Sequence, residues 1–345
     1  MTALLVTRDQ TLIDAVMRLA AAAGTTPRVE ASATGALEPW TRARLVLVGL
    51  DMADEVARVR PQRRAGVYVV ASGPVPDLAF RTALDLGAEG LLEAARAEEW
   101  LVERLADLDT GVAGRLVGVV GGSGGAGAST FACALARVAA HDAPSLLVDA
   151  DPLGPGLDRI LGTEDVTGVR WHELEQPTGR LGGAALRDAV PRREGLGVLT
   201  WYPGPQGSLQ AFALREVLSA GLRGHELVVV DLPRRGDPLT AEVASRCDLL
   251  VVVARPTVVG VAAAARVLAG MGSPARSGVV VRGTGVDERE IGAAVGARVL
   301  ATMGDHRGLA EAVDLGLGPL RSRRGPLHRA ACAVLDELSA AAEAA

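Results

Sequence analysis

Lysine is absent from this chain: all 36 of its basic side chains are arginines. No ε-ammonium group is therefore available anywhere in the fold for charge pairing or covalent chemistry. Aromatic residues make up only 3%, so the core must be built from Ala, Val and Leu. The three cysteines, Cys133, Cys247 and Cys332, are far apart and form no C-x-x-C pair, which speaks against a zinc site and against a disulfide framework. Small buried thiols in a reducing compartment are expected instead. There is no long uninterrupted apolar run: residues 247–272 come closest, but Arg255-Pro256 and Arg266 cut them into a strand, a turn and a helix rather than a membrane span. The opening "MTALLVTRDQ" reaches charge after four apolar residues, short of the roughly 7 to 15 of a signal peptide, so a cytoplasmic protein is expected. A net charge of -5 argues against a dedicated nucleic-acid coat.

What is present is a packed globular chain of 345 residues, 49% hydrophobic against 22% charged, long enough for two domains. Residues 3 to 108 alternate short apolar runs ("ALLV", "ARLVLVGL", "GVYVVAS") with amphipathic segments, a βα alternation that predicts a small doubly wound parallel sheet. Leu12, Ala15, Val16, Leu19 and Ala20 share one helical face, and "LVLV" and "VYVV" read as strands buried on both sides. The turn-forming "DLDTGVAGR", residues 107 to 115, joins this pattern to the next, so the expected division is 1–110 and 115–345.

The second pattern runs strand "LVGVV", loop, helix 129 to 141, strand "SLLVDAD", an irregular middle, strand "LGVLTW", helix 208 to 222, strand "ELVVVDLP". It continues with "CDLLVVVA", helix 258 to 270, "GVVVRG", a helix from 287, "ARVLAT" and two C-terminal helices. Seven or so strands alternating with helices predict a large, mostly parallel sheet.

Between its first strand and first helix lies "GGSGGAGAST", residues 121 to 130. In a phosphate-binding loop, glycines let successive N–H groups point inward and the following helix N-terminus adds partial positive charge. Gly122-x-x-x-x-Gly127, with Gly124 and Gly125 between, has that spacing. A Lys then normally reaches the β- and γ-phosphates and a Ser or Thr supplies a magnesium ligand. Here those places hold Ala128 and Ser129, followed by Thr130. A glycine turn alone is weak evidence, since Gly is the default residue for tight turns. Its companions strengthen it: Asp149 and Asp151 in "LLVDADPLGPGLD", and Asp231 in "LVVVDLPR", each at the end of an apolar strand. Asp at a strand end is also commonly a plain cap or turn residue.

The N-terminal stretch resembles a response-regulator receiver (CheY-like), through "LVLVGLDM" and "GAEGLLEAA". The resemblance places the phosphoacceptor at Gly49 and the receiver lysine at Ala94, with Asp9 and Asp51 nearby. Such a pocket lacks the cation that phosphoryl transfer needs. It implies a pseudo-receiver used for docking or dimerisation, with a plain α/β filler domain as the other reading. The second domain resembles the MinD/ParA superfamily of deviant Walker ATPases. Receiver-like domain plus altered P-loop resembles its CpaE/TadZ-like branch, and within it the septum site-determining group, on "GGSGGAGAST", "DADPLGPGLD", "GVRWHEL", "GLGVLTW", "VVVDLPR", "LVVVARPT" and "RRGPLHRAA".

The resemblance implies ATP or ADP with Mg²⁺, held weakly. In it Ser129 and Thr130 face the magnesium and α-phosphate, Asp151 positions the attacking water, Asp231 and Asp149 serve the metal, and Arg255-Pro256 lie near the base. Both family lysines are missing, replaced by Ala128 and Ser123. A charge-assisted contact is worth about 1.5 to 3 kcal/mol, so each loss costs roughly ten- to a hundred-fold in affinity. Arg234 or Arg235 could replace the lysines in part, or be ordinary solvated side chains. The implied function is a cell-division regulator that hydrolyses slowly or not at all, acts through protein contacts, forms a homodimer and is recruited to septum or pole. A localisation factor for type IV pilus or Tad secretion assembly, and an ATP-driven dimer switch, are the alternatives. The last segment, "PLHRAACAVLDELSAAAEAA", carries an apolar face at Leu327, Ala331, Val334, Leu335 and Leu338 but an acidic polar face. A helix packed on the sheet is therefore expected rather than a membrane anchor.

Overall fold

The computed structural model describes residues 3–343 apart from residues 24, 77–78, 110–113, 175–180, 203–207, 273, 275, 286 and 306. The chain divides into two compact units, Met1–Gly111 and Val112–Ala345. The middle of the expected boundary segment lies outside the described residues.

The first unit holds strands β1 (Ala3–Val6), β2 (Arg28–Glu30), β3 (Leu45–Gly49), β4 (Val67–Ala71) and β5 (Gly90–Glu93). They form one parallel sheet in the order β2-β1-β3-β4-β5, the doubly wound order of flavodoxin-like folds. Its apolar runs are continuous because alternate residues feed opposite cores. Leu5, Leu45, Leu47 and Val70 pack with Leu12, Val16 and Leu101 on one side, while Leu4, Val46, Val48 and Val69 meet Trp40, Met52 and Val56 on the other.

The second unit holds β6 (Arg115–Gly121), β7 (Ser145–Asp149), β8 (Arg192–Arg193), β9 (Leu196–Leu199), β10 (Leu227–Leu232), β11 (Leu249–Ala254), β12 (Ser277–Arg282) and β13 (Arg298–Met303). Their order is β13-β12-β11-β6-β10-β7-β9-β8. All pairings are parallel except β8 with β9, a hairpin closed by Glu194 and Gly195 at φ 48° and 83°, the left-handed pair of a two-residue turn. The two-residue β8 is the strand the apolar pattern could not announce. The middle expected to be irregular contains short helices Leu157–Leu161 and Gly183–Ala189 and a 3₁₀ turn, Trp171–Leu174. The helix expected over 208–222 runs Ala211–Gly224.

Helix Ala128–Ala139 is buried from Phe131 through Ala136. That stretch is apolar all round because the sheet lies on one side and helix Pro326–Glu343 covers the other. Leu327, Ala331, Val334 and Leu338 of that last helix are buried in this core, with Leu335 packed beside them. Its apolar face is thus occupied by the protein's own interior. No helix among the described residues is long and apolar enough to cross a membrane. Cys133 and Cys247 are buried as expected, whereas Cys332 is only half-buried, its Sγ 3.5 Å from His328 Nδ1.

Candidate functional site

In a parallel sheet a crevice opens beyond the carboxyl ends of the strands where the chain reverses its direction of winding. Here that point lies at β6, which has β11 on one side and β10 on the other. The loop 121–127 leaves β6 into this crevice. Gly122 fixes its base: its N–H donates to Val253 O at 2.9 Å, and a Cβ there would lie 2.7 Å from that of Ala264. Only glycine permits helix Val258–Gly270 to pack this closely. Gly125 and Gly127 turn the loop at φ 70° and 95°. Gly127 is the N-cap of helix Ala128–Ala139 and offers no side-chain cap. The first-turn N–H groups of Ala128, Ser129 and Thr130 have no partner within a helix and stand at its positive end.

A cavity of about 340 Å³ opens over this turn, lined by Ser123, Gly124, Gly125, Gly127, Ala128, Ser129 and Thr130 together with Asp151, Asp231 and Arg234. Asp231 and Asp149 are direct neighbours in register on β10 and β7, and both are buried, at 4% and 1% exposure. Asp231 receives a hydrogen bond from the Ser129 hydroxyl; burial, then the charge of Asp149, pushes its pKa up to about 8. Asp149 lies beneath and does not line the cavity. Its carboxylate accepts from Thr200 Oγ1 at 2.6 Å and from Asp151 N at 3.2 Å, and its carbonyl accepts from Trp171 Nε1 at 2.7 Å. Burial raises it to about 7, against those hydrogen bonds.

The structure therefore brings Gly124, Gly125, Gly127, Ala128, Ser129, Thr130, Asp151 and Asp231 together, with Gly122 and Asp149 supporting from below. Arg255 and Pro256 do not join them around this cavity. They follow the end of β11, where Pro256 packs so closely on Gly283 that a Cβ there would lie 2.3 Å away. Of the two arginines after β10, Arg234 faces the loop, whereas Arg235 lines a separate cavity with Pro152, Leu153 and Asp237. Sequence reasoning missed Arg282. From the end of β12 its Nη1 donates to Gly125 O at 3.2 Å while its Nε pairs with Asp305 at 2.7 Å. No spacing in the sequence signals that contact.

Magnesium with a nucleotide phosphate fits what is present: uncapped N–H donors, a hydroxyl, and two carboxyls whose pKa values burial raises, with the charge of Asp149 adding to the rise at Asp231, a penalty a divalent cation would relieve. The lysine that would neutralise the phosphates is absent.

In the first unit, the receiver acceptor position is closed. A Cβ on Gly49 would lie 2.3 Å from Asp51 Oδ1 and 2.4 Å from Thr7 Oγ1. Asp51 accepts from Thr7 Oγ1 at 2.6 Å and Arg8 N at 2.7 Å. Asp9 is a helix N-cap, bonded to Thr11 N and Leu12 N and taking the Ser72 hydroxyl at 2.5 Å, the last of these chiefly lowering its pKa. The two carboxylates are local acceptors rather than an open acidic pocket. Ala94 is buried in the core.

Residues 6–115 match a family model described as Rv3660c-like, CheY-like N-terminal domain. Among solved structures, the chain is similar to a ParA family ATPase from Chlorobium tepidum TLS, with TM-score 0.54 and 18% identity over 66% of this chain and 98% of that one. It is also similar to the MinD cell division protein of Aquifex aeolicus, with TM-score 0.52 and 19% identity over 66% and 97%. The septum site-determining protein MinD from Pyrococcus horikoshii OT3, complexed with Mg-ADP, matches at TM-score 0.52 and 19% identity over 66% and 97%. These likenesses give the fold: a CheY-like domain and a P-loop domain of MinD/ParA type. The uncharacterized protein Rv3660c of Mycobacterium tuberculosis (strain ATCC 25618 / H37Rv) is 36% identical, over 96% of both chains. On that full-length similarity, the chain belongs to the Rv3660c family.

Proposed function

We propose that the protein is a cell-division regulator of the CpaE-like, septum site-determining type: it holds Mg-ATP or Mg-ADP weakly, hydrolyses it slowly or not at all, and acts through protein contacts. One observation carries this reading. A glycine loop with an uncapped helix N-terminus stands over two buried carboxyls on a MinD/ParA fold, with Ala128 and Ser123 where the resemblance places lysines. In this reading the loop N–H groups and Thr130 bind phosphate, and Ser129 and Asp231 hold Mg²⁺, with the Asp149 carboxylate adding negative charge beside Asp231. Asp151 orients water. Bound magnesium would supply positive charge at the phosphate oxygens. Without a lysine, little preorganised charge meets the transferring phosphoryl group, so turnover is slow.

The first unit serves in this reading as a docking or dimerisation module, since its acceptor position is filled. Phosphate release by the purified protein tests the proposal. Turnover near the common enzyme value of about 10 per second, abolished by Asp151→Ala, would replace it with an ATP-driven dimer switch. A fluorescent fusion that marks the division plane, and still does so when pilus and secretion genes are deleted, supports the septum role. Loss of localisation with those genes would favour the pilus or secretion alternative.

A further inference from the structure

We infer that Arg234 is the cation of the loop, taking over from the segment after β10 the phosphate contact that a lysine at position 128 would make. The inference rests on the proposed phosphate-binding role of this cavity. Arg234 lines the cavity with Ser123, Ser129, Asp151 and Asp231. Its Nη2 lies 3.8 Å from the place a Cβ on Gly124 would occupy, and its Cδ lies 3.8 Å from the corresponding place on Gly121. The side chain therefore runs along the loop, its stem beside Gly121 and its guanidinium beside Gly124. It makes no hydrogen bond or ion pair among the described residues. That freedom separates it from Arg282, whose guanidinium is committed to Asp305 and to the Gly125 carbonyl and so works as a strap on the loop's outer side. It also separates Arg234 from Arg235, which opens onto another cavity.

An exposed, unpaired guanidinium lining the same cavity as the first-turn N–H groups of a helix has a specific use: its planar fork presents two N–H groups to two oxygens of one phosphate. A phosphate in the cradle would accept from the loop on one side and from Arg234 on the other. Ala128 has no group that competes for the same oxygens. The cation arrives from β10 because the structure places that strand's end beside the loop.

The test is calorimetric titration of the full chain with Mg-ATP and, separately, with inorganic tripolyphosphate, for wild type, Arg234→Ala, Arg282→Ala and the double variant Arg234→Ala/Ala128→Lys. Arg234→Ala should weaken both probes by about ten- to a hundred-fold, the worth of one charge-assisted contact, with an unchanged melting temperature because the side chain holds nothing in the fold. The double variant should recover affinity to within a few-fold, since Ala128 lines the same cavity. Arg282→Ala should weaken binding less and lower the melting temperature. Wild-type affinity in Arg234→Ala would overturn the assignment while leaving nucleotide binding in place. Tripolyphosphate binding that depends on Arg234, without Mg-ATP binding, would support the assignment and remove the nucleotide reading. Failure of wild type to bind either probe would overturn both.

Discussion

Replacing Asp231 by Asn removes a carboxyl whose folded-state pKa is about 8 against an ordinary 3.8, raised first by burial and then by the charges of Asp149 and Asp151. The folded protein holds this proton more tightly than the unfolded chain does. The group's contribution to stability is therefore fully present below pH 3.8, declines as pH rises above that, and is lost by about pH 8. Within the window each pH unit costs up to about 1.4 kcal/mol. Between pH 5 and pH 8 this carboxyl should destabilise the wild type by about 2 to 4 kcal/mol, the lower figure reflecting its coupling to Asp149. An amide cannot ionise and still accepts from the Ser129 hydroxyl. Asp231→Asn should thus lose most of this pH dependence and, at pH 8 without Mg²⁺ or nucleotide, melt about 5 to 15 °C above wild type. Thermal melts of both proteins at pH 5 and pH 8, followed by circular dichroism, measure the difference directly. Equal pH dependence in the two proteins, or a wild type that gains on the variant toward pH 8, would refute the reasoning.

Ala128→Lys should strengthen Mg-ATP binding by about ten- to a hundred-fold without lowering the melting temperature, since the side chain enters the cavity; undetectable binding by both proteins would show that the loop is purely structural. The first unit should remain unmodified after incubation with acetyl phosphate; mass spectrometry finding phosphate on Asp51 would make it a phosphorylation input. Gly49→Asp should not restore phosphorylation and should destabilise the unit by at least about 1 to 3 kcal/mol, because its Cβ would lie 2.3 Å from Asp51 Oδ1; denaturant titration reads the loss. Gly122→Ala should destabilise the second unit by a similar amount through overlap with Ala264 at 2.7 Å, and the same titration, showing wild-type stability, would contradict that packing.

The sequence by itself determined the alternation of strands and helices, because burial on both faces of a parallel sheet demands continuous apolar runs such as "LVVVDL", and crossover helices demand their own period. It also determined the loop: glycines at 122, 125 and 127 are read directly from the chain, and the structure uses one for packing and two for left-handed turns. The missing lysine needed no coordinates. The tertiary structure alone decided who the loop's neighbours are. Alternation reports that a strand is buried but not which strand lies beside it, so the insertion of β10 between β6 and β7, which sets Asp231 against Asp149, is invisible in one dimension. Arg234 and Arg235 are adjacent in sequence and equal in chemistry, yet they line different cavities because successive residues leaving a strand point in different directions. Arg282 reaches Gly125 from 157 positions away, and the Asp149 pKa near 7 comes from burial that its own neighbours in sequence do not specify. Spacing along the chain can name the candidate donors of a glycine loop, but which charged side chains stand beside them is decided through space, by the order of strands in the packed sheet.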